Sequence, residues 1–107
     1  MKSALGELSA IGDELAVTGI ADANRAFNLT WHDWLNLKSL VATSQAIAQA
    51  ALAREDSRGA HFREDFPESG PLESSWYTQL RLKQGNIAID RVPVAFTRVR
   101  PGQSLTK

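Results

Sequence analysis

Residues 51–67 read Ala51-Leu52-Ala53-Arg54-Glu55-Asp56-Ser57-Arg58-Gly59-Ala60-His61-Phe62-Arg63-Glu64-Asp65-Phe66-Pro67. The stretch joins two kinds of sequence. A long pattern of helical period leads into it, and a pattern that alternates as a strand does follows it. Five of the eleven residues from Ser57 to Pro67 can carry charge, a density unusual for a plain connector. The stretch therefore reads as a rigid polar junction. The question is whether it performs chemistry or holds its neighbours in place.

Toward the N-terminus, residues 30 to 56 read as a long helix. Thr30 with Asp33 resembles a capping box, with Asp a shorter partner than the usual Glu. Trp34, Leu37, Val41, Ser44, Ala48 and Ala51 form one seam, and Leu40, Ile47 and Leu52 widen it. No charged residue occurs between Lys38 and Arg54. A helix apolar nearly all round is packed on more than one side. Residues 2 to 18 read as a first helix with Leu5, Leu8, Ile11 or Gly12, and Leu15 on one face. Gly6 and Gly12 each weaken it by roughly 1 kcal/mol relative to Ala, so it depends on packing against a neighbour. Gly19 is the expected C-terminal stop. Residues 19 to 29 form a connector from which Phe27 and Leu29 would fold onto the core.

Toward the C-terminus, Pro67, Gly70 and Pro71 rule out a regular element in the loop up to Ser75. Residues 76 to 99 read as a β-hairpin. Trp76, Thr78, Leu80 and Leu82 alternate with Tyr77, Gln79, Arg81 and Lys83, and Gln84-Gly85-Asn86 supplies the turn, with Gly-Asn able to take positive φ. The apolar phase shifts between Ile89 and Val92, which predicts a bulge or strand break near Arg91-Val92-Pro93 and an edge position for Pro93. Residues 100 to 107 look like a frayed tail.

At 107 residues the chain is one domain at most. Twelve basic and twelve acidic side chains balance, which removes the electrostatic case for nucleic acid or an anionic membrane as the main partner. No apolar run approaches the roughly 20 residues that span a bilayer, and no secretory signal is visible. The absence of cysteine excludes disulfides and thiolate chemistry and fits a reducing compartment.

Three kinds of chemistry can be weighed. A dinucleotide site has no support, because neither GxGxxG nor GxxxxGK[ST] occurs. For a metal, the clusters are His32-Asp33 and His61 with Glu64 and Asp65. Gly59 and Pro67 prevent a helix from holding His61 and Asp65 on one face, and His32 reads as a polar surface residue. Acid–base work by the junction would use Arg58, His61, Arg63 and Asp65 on an anionic substrate. The structural alternative is the stronger one. Arg58 would sit at a helix C-terminus facing exposed carbonyls, and Gly59 would take the left-handed C′ position. Arg63 and Asp65 would pair with each other or with carbonyls. Phe62 and Phe66 would anchor the loop in the core.

Read as a whole, Ala51–Pro67 resembles the closing motif of the succinate dehydrogenase and fumarate reductase flavoprotein family, whose relatives include L-aspartate oxidase. Ser57, Arg58, Gly59, Ala60, His61, Arg63, Asp65 and Pro67 match that motif. Asn24-Arg25-Ala26-Phe27-Asn28-Leu29 is similar to the family's entry to the preceding helix, and Trp76 and the hairpin to its last strands. The resemblance implies a mainly α fold: two antiparallel helices of a truncated three-helix bundle, then a C-terminal β-hairpin. It implies a helical segment 1–67 ending in the motif, with 68–107 as loop, hairpin and tail of the same domain.

The same resemblance implies a C-terminal fragment of an FAD-dependent dicarboxylate oxidoreductase, with Met1 an introduced start. The FAD, the capping domain and the catalytic residues belong to the parent, so no catalytic, cofactor-binding or metal-binding residue is carried onto this chain. Ser57, Arg58, Gly59, His61, Arg63, Asp65 and Pro67 are then a structural clasp. The expected partners are the parent's flavin and capping domains and an iron–sulfur subunit. The expected location is the cytoplasm, peripheral at the inner membrane in the parent complex. The isolated chain should self-associate to cover its surplus apolar surface. The rivals are L-aspartate oxidase, an adenylylsulfate reductase-like flavoprotein, and a free-standing helical interaction module.

Overall fold

A computed structural model describes residues 1–104. The order is α1 (Lys2–Val17), α2 (Leu29–Ala53), β1 (Trp76–Lys83) and β2 (Asn86–Pro93). This is the expected mainly α chain with a terminal hairpin. Contacts group residues 1–52 into one compact unit and the residues from Ala53 onward into a second.

In the first unit the helices run antiparallel. Gly12 of α1 faces Val41 and Gln45 of α2, and one turn earlier the Leu8 carbonyl accepts a bond from Gln45 Nε2 at 3.3 Å. A methyl group at Gly12 would sit 3.7 Å from both Val41 and Gln45, an ordinary contact, so the approach of the two helices does not itself require a glycine here. Val41 beneath it is the buried apolar residue of this pair.

Three expectations are corrected here. Thr18, not Gly19, ends α1. Its backbone is extended, and its N–H and hydroxyl both donate to the Glu14 carbonyl, so no left-handed cap is needed. Asn28, not Thr30, caps α2: its side-chain oxygen accepts from the Trp31 N–H at 2.8 Å, the N-cap geometry. Phe27 and Leu29 are exposed rather than folded onto a core. The connector is held instead by its own polar side chains. Asn24 N–H donates to Asp22, Ala26 N–H to Asn24, and the Asn28 amide to the Asp22 carbonyl.

In the second unit β1 and β2 pair antiparallel in unbroken register from Trp76–Pro93 to Lys83–Asn86. The turn is the two residues Gln84 and Gly85, both at positive φ, as in a type I′ hairpin. Asn86 already belongs to β2. No bulge occurs near Val92. The phase change is absorbed by exposing Leu82 and part of Ile89. The strand stops at Pro93, short of the expected residue 99. One further bond, from Val94 N–H to the Ser75 carbonyl, extends the ladder. Of the expected tail, Pro101-Gly102 forms a turn with Gly102 at positive φ, and residues 105–107 lie outside the described residues.

Candidate functional site

The Ser57–Pro67 junction begins where α2 stops. The helix ends at Ala53, three residues before the expected Asp56. The reason is local. The carbonyl of Arg54 is taken by Arg63 Nη1 at 2.6 Å. The Arg54 side chain is turned onto the buried Asp56, with Nε 2.6 Å from Oδ1. These bonds replace the next helical turn.

Arg63 is the centre of the segment and is only 6% exposed. Its Nε and Nη2 grip both carboxylate oxygens of Asp65 at 2.9 and 2.5 Å. Its guanidinium also lies 4.6 Å from the Phe66 ring centroid, a cation–π contact. Hydrogen bonding to Asp65, opposed by desolvation, raises the Arg63 pKa further. The same bond holds the Asp65 carboxyl below the usual carboxylate range. The expected pairing of Arg63 with Asp65 and with a carbonyl is therefore present in both forms.

Ser57 closes the loop from the other side. Its hydroxyl accepts from the Arg63 N–H and donates to the Phe66 carbonyl, each at 2.8 Å, while its own N–H donates to the Glu68 carbonyl. Gly59, at φ +59, turns the chain so that Arg58 and His61 exchange backbone bonds. This corrects the expectation of a helix C′ glycine: Gly59 is left-handed, but in a tight turn beyond the helix. Arg58 is likewise no helix-end cation. Its guanidinium spans the following loop, donating to the carbonyls of Ser69 and Pro71 and to Ser75 Oγ. Phe62 is 68% exposed and Phe66 36%, so the loop is held by hydrogen bonds and not by aromatic anchors. Pro67 ends the segment.

Residues that were not singled out complete the arrangement. Asp56 is buried between Arg54 and, at 3.9 Å, Arg58. Trp76, the first residue of β1, is flanked by Arg54 at 4.9 Å and Arg91 at 4.3 Å from its ring centroid. Arg91 in turn reaches Glu55 at 3.5 Å. Three consecutive charged residues at 54–56 were the available signal. Trp76 and Arg91, which meet Arg54 and Glu55, lie far downstream and cannot be assigned by spacing.

Chemically the junction is turned on itself. An arginine held by a carboxylate stays charged and offers no proton. His61 Nε2 is enclosed without a hydrogen-bond partner among the described residues, so no carboxylate is paired with that nitrogen. His32 is exposed on α2, its Nδ1 3.1 Å from the Asn36 amide. Among the described residues no three metal-ligating side chains converge. Nor do they fit a flavin. The hairpin strands follow both helices, so no strand feeds a glycine-rich turn into a helix N-terminus, the device that seats a dinucleotide pyrophosphate.

Residues 1–105 match the family described as fumarate reductase flavoprotein C-term. The chain belongs to that family. Within the fumarate reductase flavoprotein C-terminal family it is 33% identical, over 96% of its length, to a fumarate reductase flavoprotein subunit of Mycobacterium tuberculosis. It is 33% identical, over 82% of its length, to a succinate dehydrogenase flavoprotein subunit of Coxiella burnetii. An L-aspartate oxidase of Rhodospirillum rubrum is 47% identical over 36% of the chain. The chain spans only 18%, 15% and 14% of those three proteins. Among the described residues no helix is long and apolar enough to cross a membrane.

Proposed function

We propose that this chain is the C-terminal domain of an FAD-dependent oxidoreductase subunit that interconverts a succinate- and a fumarate-like dicarboxylate, and that it contributes structure rather than catalysis. The family match over residues 1–105 carries this reading. The junction supports it, because Arg63 and Asp65 hold each other and Arg58 is taken up by the carbonyls of the following loop. Ser57, Arg58, Gly59, His61, Arg63, Asp65 and Pro67 are on this view a clasp that ends the helical segment and fixes the start of the hairpin.

FAD and the acid–base groups would then be supplied by flavin and capping domains, with an iron–sulfur subunit as a further partner and a cytoplasmic, membrane-peripheral location. Alone, the chain would pair with a second copy. The similarity to an L-aspartate oxidase favours one second reading, in which the dicarboxylate bears an amino group.

The test is recovery of the native polypeptide from its source with an antibody to residues 54–75. The reading expects FAD in the recovered assembly and succinate–fumarate turnover. Aspartate oxidation would select the second reading, and an assembly without flavin would overturn both. The 107-residue chain titrated with FAD should leave all of the flavin unbound.

A further inference from the structure

Charge holds the second unit together. Among the described residues from Ala53 onward, the buried ones are Asp56 and Arg63, so no apolar core secures the hairpin there. A two-stranded hairpin has little stability of its own. Its link to the exit of α2 runs through Trp76. The ring centroid lies 4.9 Å from the Arg54 guanidinium and 4.3 Å from that of Arg91. Two guanidinium groups on one ring repel each other, so each needs a carboxylate. Arg54 has Asp56, with Nε 2.6 Å from Oδ1. Arg91 has Glu55, with Nη2 3.5 Å from Oε2.

The two halves of this stack are unequal. The Arg54 and Asp56 side chains are 20% and 12% exposed, and the two residues are neighbours on one segment. The Arg91 and Glu55 side chains are 55% and 58% exposed, and 36 positions separate them. Their contact is long for a charge-assisted bond. Mobile ions screen an exposed pair far more than a shielded one. The start of β1 has further support that does not involve Arg91, because Arg58 donates to Ser75 Oγ at 2.8 Å and to the Ser69 carbonyl at 2.7 Å.

We propose that Arg91 is the releasable half of a salt-sensitive latch. At low ionic strength it ties the hairpin to Glu55 and to the ring of Trp76. Rising ionic strength frees Arg91, and the hairpin then swings about Ser75 and Trp76, which Arg58 and Arg54 still hold. The ladder between β1 and β2 stays paired throughout. The device goes beyond the clasp role and stands whether or not the parent is a flavoprotein.

The test is nuclear magnetic resonance on the 107-residue chain in sodium chloride. A guanidinium over an indole places its δ-methylene protons in the ring current, which moves their signals upfield. At about 10 mM salt, where the screening length is about 30 Å, Arg54 and Arg91 should both show that shift. At about 1 M, where it is about 3 Å, Arg91 should lose it and Arg54 keep it. Backbone order parameters of β1 and β2 should fall together over the same range while those of Ser57–Asp65 hold. Glu55→Gln should release Arg91 already at low salt, and Trp76→Leu should abolish both shifts. Four results would overturn the latch: an unshifted Arg91 at low salt, a salt-independent Arg91, loss of both arginine shifts together, or a Glu55→Gln chain in which Arg91 stays on the ring.

Discussion

Arg63 and Asp65, two positions apart, form a two-point ion pair with Nε on Oδ1 at 2.9 Å and Nη2 on Oδ2 at 2.5 Å. The remaining Nη1 holds the Arg54 carbonyl. One side chain thus joins the exit of α2 to the far end of the junction. That geometry needs a planar fork with several fixed donors, which lysine lacks.

Arg63→Lys should therefore behave almost like Arg63→Ala. Both should lower the urea midpoint followed by far-UV circular dichroism, with Ala the lower of the two because it also gives up the contact with Phe66. A Lys variant with the wild-type midpoint would show that a point charge suffices.

Asp65 sets a pH dependence of definite sign. Its carboxyl is depressed by the Arg63 bond, so the folded form holds that proton less tightly than the unfolded form. The stabilisation is complete above the unfolded value of about 4 and is lost as pH falls through the lower folded value. Urea midpoints of wild type and Asp65→Asn should differ near neutral pH and converge in acid. A constant gap would mean that the carboxylate's charge plays no part.

Gln84 is the non-glycine residue with positive φ among the described residues, at +50. It occupies the first position of a two-residue turn that favours Asn-Gly. Gln84→Asn should stabilise the hairpin by about 1 kcal/mol, the scale of left-handed strain in an ordinary residue. Equilibrium denaturation measures it, and a loss of stability would place the strain elsewhere.

Asn28 satisfies the Trp31 N–H at the start of α2. Asn28→Ala should cost about 1 kcal/mol, and Asn28→Asp should recover most of it. Thr30→Ala should change little, since Thr30 lies inside the helix. Comparable losses at both positions would restore the capping box to Thr30.

The elements and the junction's location were legible in the chain because they depend on local patterns. Heptad-spaced apolar residues from Trp34 to Ala51 specify a helix, and alternation from Trp76 to Leu82 specifies a strand. Gly85 marks a turn. The positions of Ser57, Arg58, Gly59, His61, Arg63, Asp65 and Pro67 carried the family resemblance, which the match over residues 1–105 bears out. The Arg63–Asp65 pair was within reach because only one residue separates the two.

What the sequence by itself determined is the run of helix, helix and hairpin, the family, and a polar junction between α2 and the strands. The tertiary structure decided which groups in that junction meet. Arg58 was expected at a helix end and instead spans the loop to Ser69 and Ser75. Asp56 is buried, and Trp76 lies between Arg54 and Arg91. Local spacing reaches three or four residues along a helix and two along a strand, whereas these partners are brought together by the folding of the intervening loop. The charge density of Ser57–Pro67 could announce a network. Which carbonyl or carboxylate each arginine takes was decided in three dimensions.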